Sequence, residues 1–245
     1  MESYSVTNIG QLRKVNQDFV FASDKAVGRL PNLYIVADGL GGYNAGDRAS
    51  SYAVEVIQDS IRSAAREKNP VRLLRKAIEA ANQAIWEESH TIDKYSGMGT
   101  TIVAATVIRK TLYVANVGDS RLYLLPKKEE EQEIRQITRD HSWVEELVRL
   151  GRIDPSQRRN HPQKHVITRA VGTEPEVAVD FFEERLRAGE RLLLCSDGLT
   201  NMIEDEEIAS IITKEETLRS AGEQLVKTAN KNGGYDNISV LLVRI

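Results

Sequence analysis

The chain has 245 residues, one cysteine and a formal net charge of −3 from interspersed acidic and basic side chains. A chain of this length buries roughly three quarters of its unfolded surface, so it needs no staples. A single cysteine excludes a disulfide framework or Cys-rich zinc site and fits a reducing compartment, and the charge pattern offers nucleic acid no footprint.

The first residues lack the apolar core of a signal peptide. No run reaches the ~18 consecutive apolar residues of a membrane span, so a soluble cytoplasmic protein is expected. Apolar, β-branched runs predict strands at 4–9 and 33–37. Two helical stripes follow, one through Ala49, Ala53, Val56, Ile57 and Ile61, the other through Leu73, Leu74, Ala77, Ile78, Ala81 and Ile85. Further strands are expected at 101–108 and 112–117, and residues 127–133 read as a solvated hairpin loop. The stretch 140–172 is polar, basic and irregular, with one short helical pattern at 143–150, and reads as an excursion from the core, a lid or flap. Strands at 177–181, 191–195 and 238–245 complete the pattern, with a helix over 218–229 that stops at Asn232-Gly233-Gly234. No linker and no repeat divides the chain, so residues 1–245 are taken as one domain. Helices that come in pairs between blocks of strands argue against βαβ alternation and for an α+β layered fold with helices covering sheet.

Four aspartates share one context, an apolar strand followed by Asp and a tight turn. They are Asp38 in LYIVADGLGG, Asp119 in LYVANVGDSR, Asp197 in RLLLCSDGLT and Asp236 in GGYDNISVLLV. Taken singly, each is explained by turn or capping chemistry. Taken together they imply strand ends that converge, and charged pairs ~4 Å apart would repel by about 4 kcal/mol each at an effective dielectric of 20. Cations relieve that repulsion, and an all-oxygen set suits magnesium or manganese better than zinc. Gly39-Leu40-Gly41-Gly42 follows Asp38 without the Lys-Ser/Thr of a Walker loop; it either lets backbone approach an ion or is a plain turn into a helix after Asn44. Arg13 precedes Asp18 by five residues, and its fork of donors matches a phosphate, although a solvated charge is the commoner role for an arginine.

With these pieces in order, the chain resembles the type 2C (PPM) family of metal-dependent Ser/Thr protein phosphatases in its compact bacterial form. The resemblance spans essentially the whole chain through RKVNQD, VADGLGG, GMGTT, NVGDSR, TRAVG, CSDGL and GGYDNISV. It implies a four-layer α-β-β-α sandwich, two antiparallel sheets flanked by helix pairs, with a flap over about 140–172. It implies two manganese or magnesium ions: Asp38 bridging both, the Gly39 carbonyl on one, Asp197 and Asp236 completing the other. Asp119 with Asp197 would hold a weaker third ion, Asp18 would act through a metal-bound water, and Arg13 would grip the substrate phosphate. The implied reaction is hydrolysis of phosphoserine and phosphothreonine in proteins by a water shared between the cations, reversing a Ser/Thr kinase, in a monomer that uses neither nucleic acid nor membrane. Leu40 stands where relatives from higher organisms often carry a histidine proposed to protonate the leaving group, so that proton must come from elsewhere. His141 and His161, in or beside the flap, are read as structural residues or substrate contacts. Cys195 is read as a small buried residue, not a nucleophile. The alternatives are a small-molecule phosphatase on this scaffold and a non-catalytic binding module, which would lack a metal ligand; none is missing.

Overall fold

The computed structural model describes residues 1–41, 45–64, 66–127 and 134–245. The chain begins with three strands, β1 (Glu2–Asn8), β2 (Asp18–Ser23) and β3 (Leu33–Leu40), followed by helices α1 (Gly46–Ser63) and α2 (Pro70–Thr91). Then come β4 (Gly99–Thr100), β5 (Ile102–Ile108), β6 (Thr111–Val117), β7 (Arg121–Leu125) and β8 (Arg135–Gln136). After the short helix α3 (Trp143–Arg149) lie β9 (Asp180–Arg185), β10 (Arg191–Cys195) and a single helical turn, α4 (Asp197–Thr200). Helices α5 (Asp205–Lys214) and α6 (Leu218–Lys231) lead to the last strand, β11 (Ile238–Arg244).

Two antiparallel sheets form, ordered β1-β11-β10-β7-β8 and β2-β3-β5-β6-β9, with β4 against β3. Strand alternation distributes the side chains into three apolar layers. In β3, Leu33, Ile35 and Ala37 point to α1 and α2, where they meet Ala49, Ile57, Ile61, Leu74, Ile78 and Ile85. Tyr34 and Val36 point the other way, into a layer between the sheets shared with Leu122, Leu192, Leu194 and Leu241. Leu193 and Cys195 of β10 and Val240 and Leu242 of β11 face α5 and α6, against Ile208, Ile212, Leu225 and Ala229. The order helices, sheet, sheet, helices is the expected four-layer arrangement. Cys195 is fully buried, and burial pushes its thiol far above the usual range.

Some elements depart from the expectation. The strand expected at 177–181 begins at Asp180, because the carbonyls of Glu174 and Pro175 accept from Asn82 Nδ2 on α2 and the chain leaves the ladder there. Strand β2 was not anticipated, nor was β7, which only a Gly118–Ser120 turn separates from β6. Helix α5 also escaped notice, since Asp205, Glu206 and Glu207 fill its first turn and it buries only Ile208 and Ile212. Helix α6 stops at Lys231 with Asn232 as its C-cap, as the Asn-Gly-Gly signal implied. Helix α1 starts at Gly46, in accord with the helix placed after Asn44; Gly42 and the loop at 128–133 lie outside the described residues.

Gly172 ties the end of the 140–172 excursion to α2. Its φ is +88°, and a Cβ there would fall 2.1 Å from Ile85 Cγ2. Gly172→Ala is expected to destabilise the protein by about 2–4 kcal/mol. Denaturant unfolding measures this, and an unchanged midpoint would show that the contact yields.

Candidate metal centre

The geometry starts from the main chain of Asp38, which lies inside β3 and not beyond its end. Its N–H donates to Thr101 Oγ1 at 3.0 Å, and its carbonyl accepts from the Thr101 N–H at 2.8 Å and Thr100 Oγ1 at 2.9 Å. Thr101 Oγ1 in turn lies 2.7 Å from Ser120 Oγ, beside Asp119. Across the ladder Asp38 pairs with Asp18 of β2. Like charges directly opposite destabilise a sheet, so a counter-charge is called for. Gly39 donates its N–H to the Gln17 carbonyl, and a Cβ on Gly39 would fall 1.9 Å from the Gly46 carbonyl oxygen, so only glycine fits.

Asp119 sits on the turn after β6, and His141 clamps that turn. The His141 N–H donates to the Gly118 carbonyl, and His141 Nδ1 accepts the Gly118 N–H, both at 3.0 Å. That bond assigns the neutral tautomer with the proton on Nε2, which reaches Asp180 Oδ2 at 3.2 Å. Burial lowers the His141 pKa and keeps it neutral. Its carbonyl accepts from the Thr168 N–H, so it also fixes the returning limb of the excursion. Its place is structural. His161 accepts the Gln163 N–H and does not line the cavity described below.

Asp197 is the first residue of α4, and its Oδ2 accepts from Asn201 Nδ2 at 2.9 Å. Asp236 precedes β11, so the shared context of strand then Asp holds for neither it nor Asp38. Its Oδ2 lies 2.7 Å from Arg13 Nη2, and its Oδ1 accepts the Asn237 N–H. Asn237 holds the N-terminal loop in place: its Oδ1 accepts the Gln17 N–H, and its Nδ2 donates to the carbonyls of Ile9 and Val15. Asp18 is buried behind these residues and accepts from Ser196 Oγ at 2.7 Å.

Asp38, Asp119, Asp197 and Asp236 line one cavity of about 720 Å³, together with Arg13, Gly39, Leu40, Lys164, His165 and Tyr235. Burial, then repulsion from Asp18, Asp197, Asp119 and Asp236, raises the Asp38 carboxyl well above the usual range. Burial pushes Asp18 up to about 7 despite hydrogen bonds from Ser239 and Ser196. Asp197 rises to about 6 through burial and Asp236, opposed by His165 and Arg121, and Asp119 rises through burial, Asp197 and Asp140. Asp18 Oδ1 and Asp197 Oδ1 are buried with no hydrogen-bond partner. Among the described residues no group of three or more Asp, Glu, His or Cys side chains already closes on one point as an ion would require; the acids face a shared volume and lean on Arg13, Ser196 and Asn201. An all-oxygen donor set with two orphaned carboxylate oxygens fits hard divalent cations.

Lys164, His165, Tyr235, Asn201 and Asn237 were not singled out from sequence. Lys164 and His165 are two residues in a long basic stretch, and no spacing marked them.

A model of the protein phosphatase 2C family matches residues 3–238. The chain is 42% identical over 214 residues to a serine/threonine phosphatase of Listeria monocytogenes, covering 86% of this chain and 83% of that one. The crystal structure of the serine/threonine phosphatase Stp1 from Staphylococcus aureus superposes with a TM-score of 0.90 at 35% identity, over 100% of this chain and 94% of that chain. The catalytic domain of the phosphatase PstP in complex with two manganese ions gives 0.84 at 32% identity, over 98% and 96%.

The raised carboxyls carry a sign for stability. A carboxyl whose folded pKa is raised stabilises the fold below its unfolded value of about 4 and loses that contribution as pH rises through the folded value. For Asp197 and Asp18 the loss runs up to about 6 and about 7. In EDTA the melting temperature is therefore expected to fall between about pH 5 and pH 8, and added manganese should raise it more at the higher pH. A chelated protein equally stable at both, with no response to manganese, would place the acids in solvent.

Proposed function

The chain belongs to the protein phosphatase 2C family, and from that premise we propose that it is a metal-dependent phosphatase of phosphoserine and phosphothreonine in proteins, with its site on the acid-lined cavity. The observation that carries this reading is the meeting of Asp18, Asp38, Asp119, Asp197 and Asp236 from five separate segments, two of them with an orphaned buried oxygen. Asp38, the Gly39 carbonyl, Asp197 and Asp236 would hold two manganese or magnesium ions. Asp119 with Asp197 would hold a third, and Asp18 would support the set from behind. Manganese in the PstP neighbour supports the choice of ion. Bound there, such ions supply charge stabilisation for the phosphoryl oxygens and a water acidic enough to act as nucleophile.

The chain's own groups do the rest. Arg13, already held at the cavity wall by Asp236, presents its fork to the substrate phosphate and orients it. The bonds from Thr100 and Thr101 keep Asp38 from following its partners, so its carboxylate is positioned before substrate arrives. Leu40 offers no proton to the leaving oxygen; His165 and Lys164 are cavity groups able to give one. Residues 140–172 act as the flap. Arg121 on Asp140 and His141 on Gly118 root its outgoing limb, and a reciprocal Thr100–Val171 backbone pair anchors its return. No helix among the described residues is long and apolar enough to cross a membrane. We place the activity in the cytoplasm, opposing a Ser/Thr kinase.

A phosphopeptide assay with metal titration, run beside a nucleotide monophosphate, tests the proposal: turnover confined to the nucleotide would replace it with the small-molecule reading. Asp38→Asn is expected to lower kcat by at least ~10²–10³ while leaving the chelated protein as stable as before or more so, since it removes a buried like charge. Near-normal turnover would remove Asp38 from the chemistry. Arg13→Ala should raise KM for phosphopeptides about tenfold or more with a smaller change in kcat, the scale of a charged hydrogen bond. An unchanged KM would confine Arg13 to its pair with Asp236.

A further inference from the structure

Two turns meet back to back on one wall of the cavity. The turn at 10–13 and the turn at 233–236 are joined by the Gln11 N–H donating to the Gly234 carbonyl at 2.7 Å and by the Arg13–Asp236 pair, while Gln11 Nε2 donates to Asn230 Oδ1 near the end of α6 at 3.2 Å. Glycines make the approach close: a Cβ on Gly10 would fall 2.2 Å from the Asp236 carbonyl oxygen. This rigid seam presents two large apolar side chains to solvent, Leu12 at 67% exposure and Tyr235 at 61%. Tyr235 also lines the acid cavity, next to Asp236. Its ring lies on the Gly233 backbone, where a Cβ would meet ring carbons at 2.8–3.1 Å, and its hydroxyl makes no hydrogen bond among the described residues.

We propose that this seam is a docking ledge for a bulky apolar side chain beside the phosphorylated residue of a peptide substrate, with Tyr235 as the principal contact and Leu12 extending it. The proposal rests on the protein-phosphatase reading and adds a sequence preference to it. Arg13, the group that would hold the phosphate, sits in the same seam between Leu12 and the Asp236 turn. Arg13 and Tyr235 both line the cavity, so a peptide that holds its phosphate on Arg13 brings a flanking residue to Tyr235. An aromatic ring already held against backbone loses little freedom on binding, which suits it to this use. Leu12 and Tyr235 belong to one seam, so only one side of the phosphorylated residue gains from an apolar neighbour. A nucleobase would need fixed polar partners for its edges, and the seam's exposed amide, Gln11, already commits its Nε2 to Asn230.

The test uses the manganese-loaded enzyme and three phosphothreonine peptides, with Phe directly N-terminal, with Phe directly C-terminal, and with Gly on both sides. The wild type should favour one Phe peptide, and only one, by about tenfold in kcat/KM over the Gly peptide. Tyr235→Ala should erase that preference through KM, and Tyr235→Phe should retain it, because the ring and not the hydroxyl makes the contact. Equal use of all three peptides by the wild type, or a preference that survives Tyr235→Ala, overturns the ledge while leaving the phosphatase reading intact. Failure of the wild type on every peptide, with turnover of a nucleotide monophosphate, overturns both.

Discussion

The constraint on which the molecule turns is the burial of several carboxylates around one cavity. Asp18 and Asp119 are buried and Asp38 and Asp197 partly so, desolvation and neighbours of like charge raise their pKa values, and two oxygens have no hydrogen-bond partner among the described residues. A fold gains nothing from such an arrangement for its own stability. It is tolerated because the surrounding layers are well packed, and it is useful because a positive ligand finds there a site whose strongest interaction is already arranged. Perturbed acids gathered in a cleft mark function more often than accident.

The scaffold holds these acids mostly through main-chain bonds. Asp38 is tied to Thr100 and Thr101, the Asp119 turn is clamped by His141, and Asn237 seals the N-terminal loop against the Asp236 turn. Each of these contacts joins segments far apart in sequence, so the site exists only when both sheets and their helices are assembled. The excursion at 140–172 is rooted in the same bonds, since His141 touches both the Asp119 turn and the limb that leads back past His165.

Much of this was legible before any coordinates. Strand alternation and the paired helical stripes define the layers, and the recurrence of Asp beside Gly or Asn at strand boundaries singled out four acids that the structure brings to one cavity. What escaped notice did so for physical reasons. Strand β2 is six residues long and starts at the buried Asp18, and α5 opens on three acids, so neither carries a strong periodic signal. The strand expected at 177 starts later because a hydrogen bond from Asn82, about ninety residues away, pulls the chain aside. Lys164, His165 and Tyr235 belong to the cavity through tertiary placement, which no local pattern encodes. The context shared by the four acids also proved looser than it read, with Asp38 inside its strand and Asp236 ahead of its own.

The chain's one thiol has a consequence for its chemistry in the cell. Cys195 lies sealed beneath α5 and α6, its proton held by desolvation, with neither the thiolate character nor the access that an oxidant needs. Catalysts that depend on a cysteine nucleophile stop working when peroxide reaches it. This molecule presents no such sulfur, so that route to inactivation is closed to an oxidant.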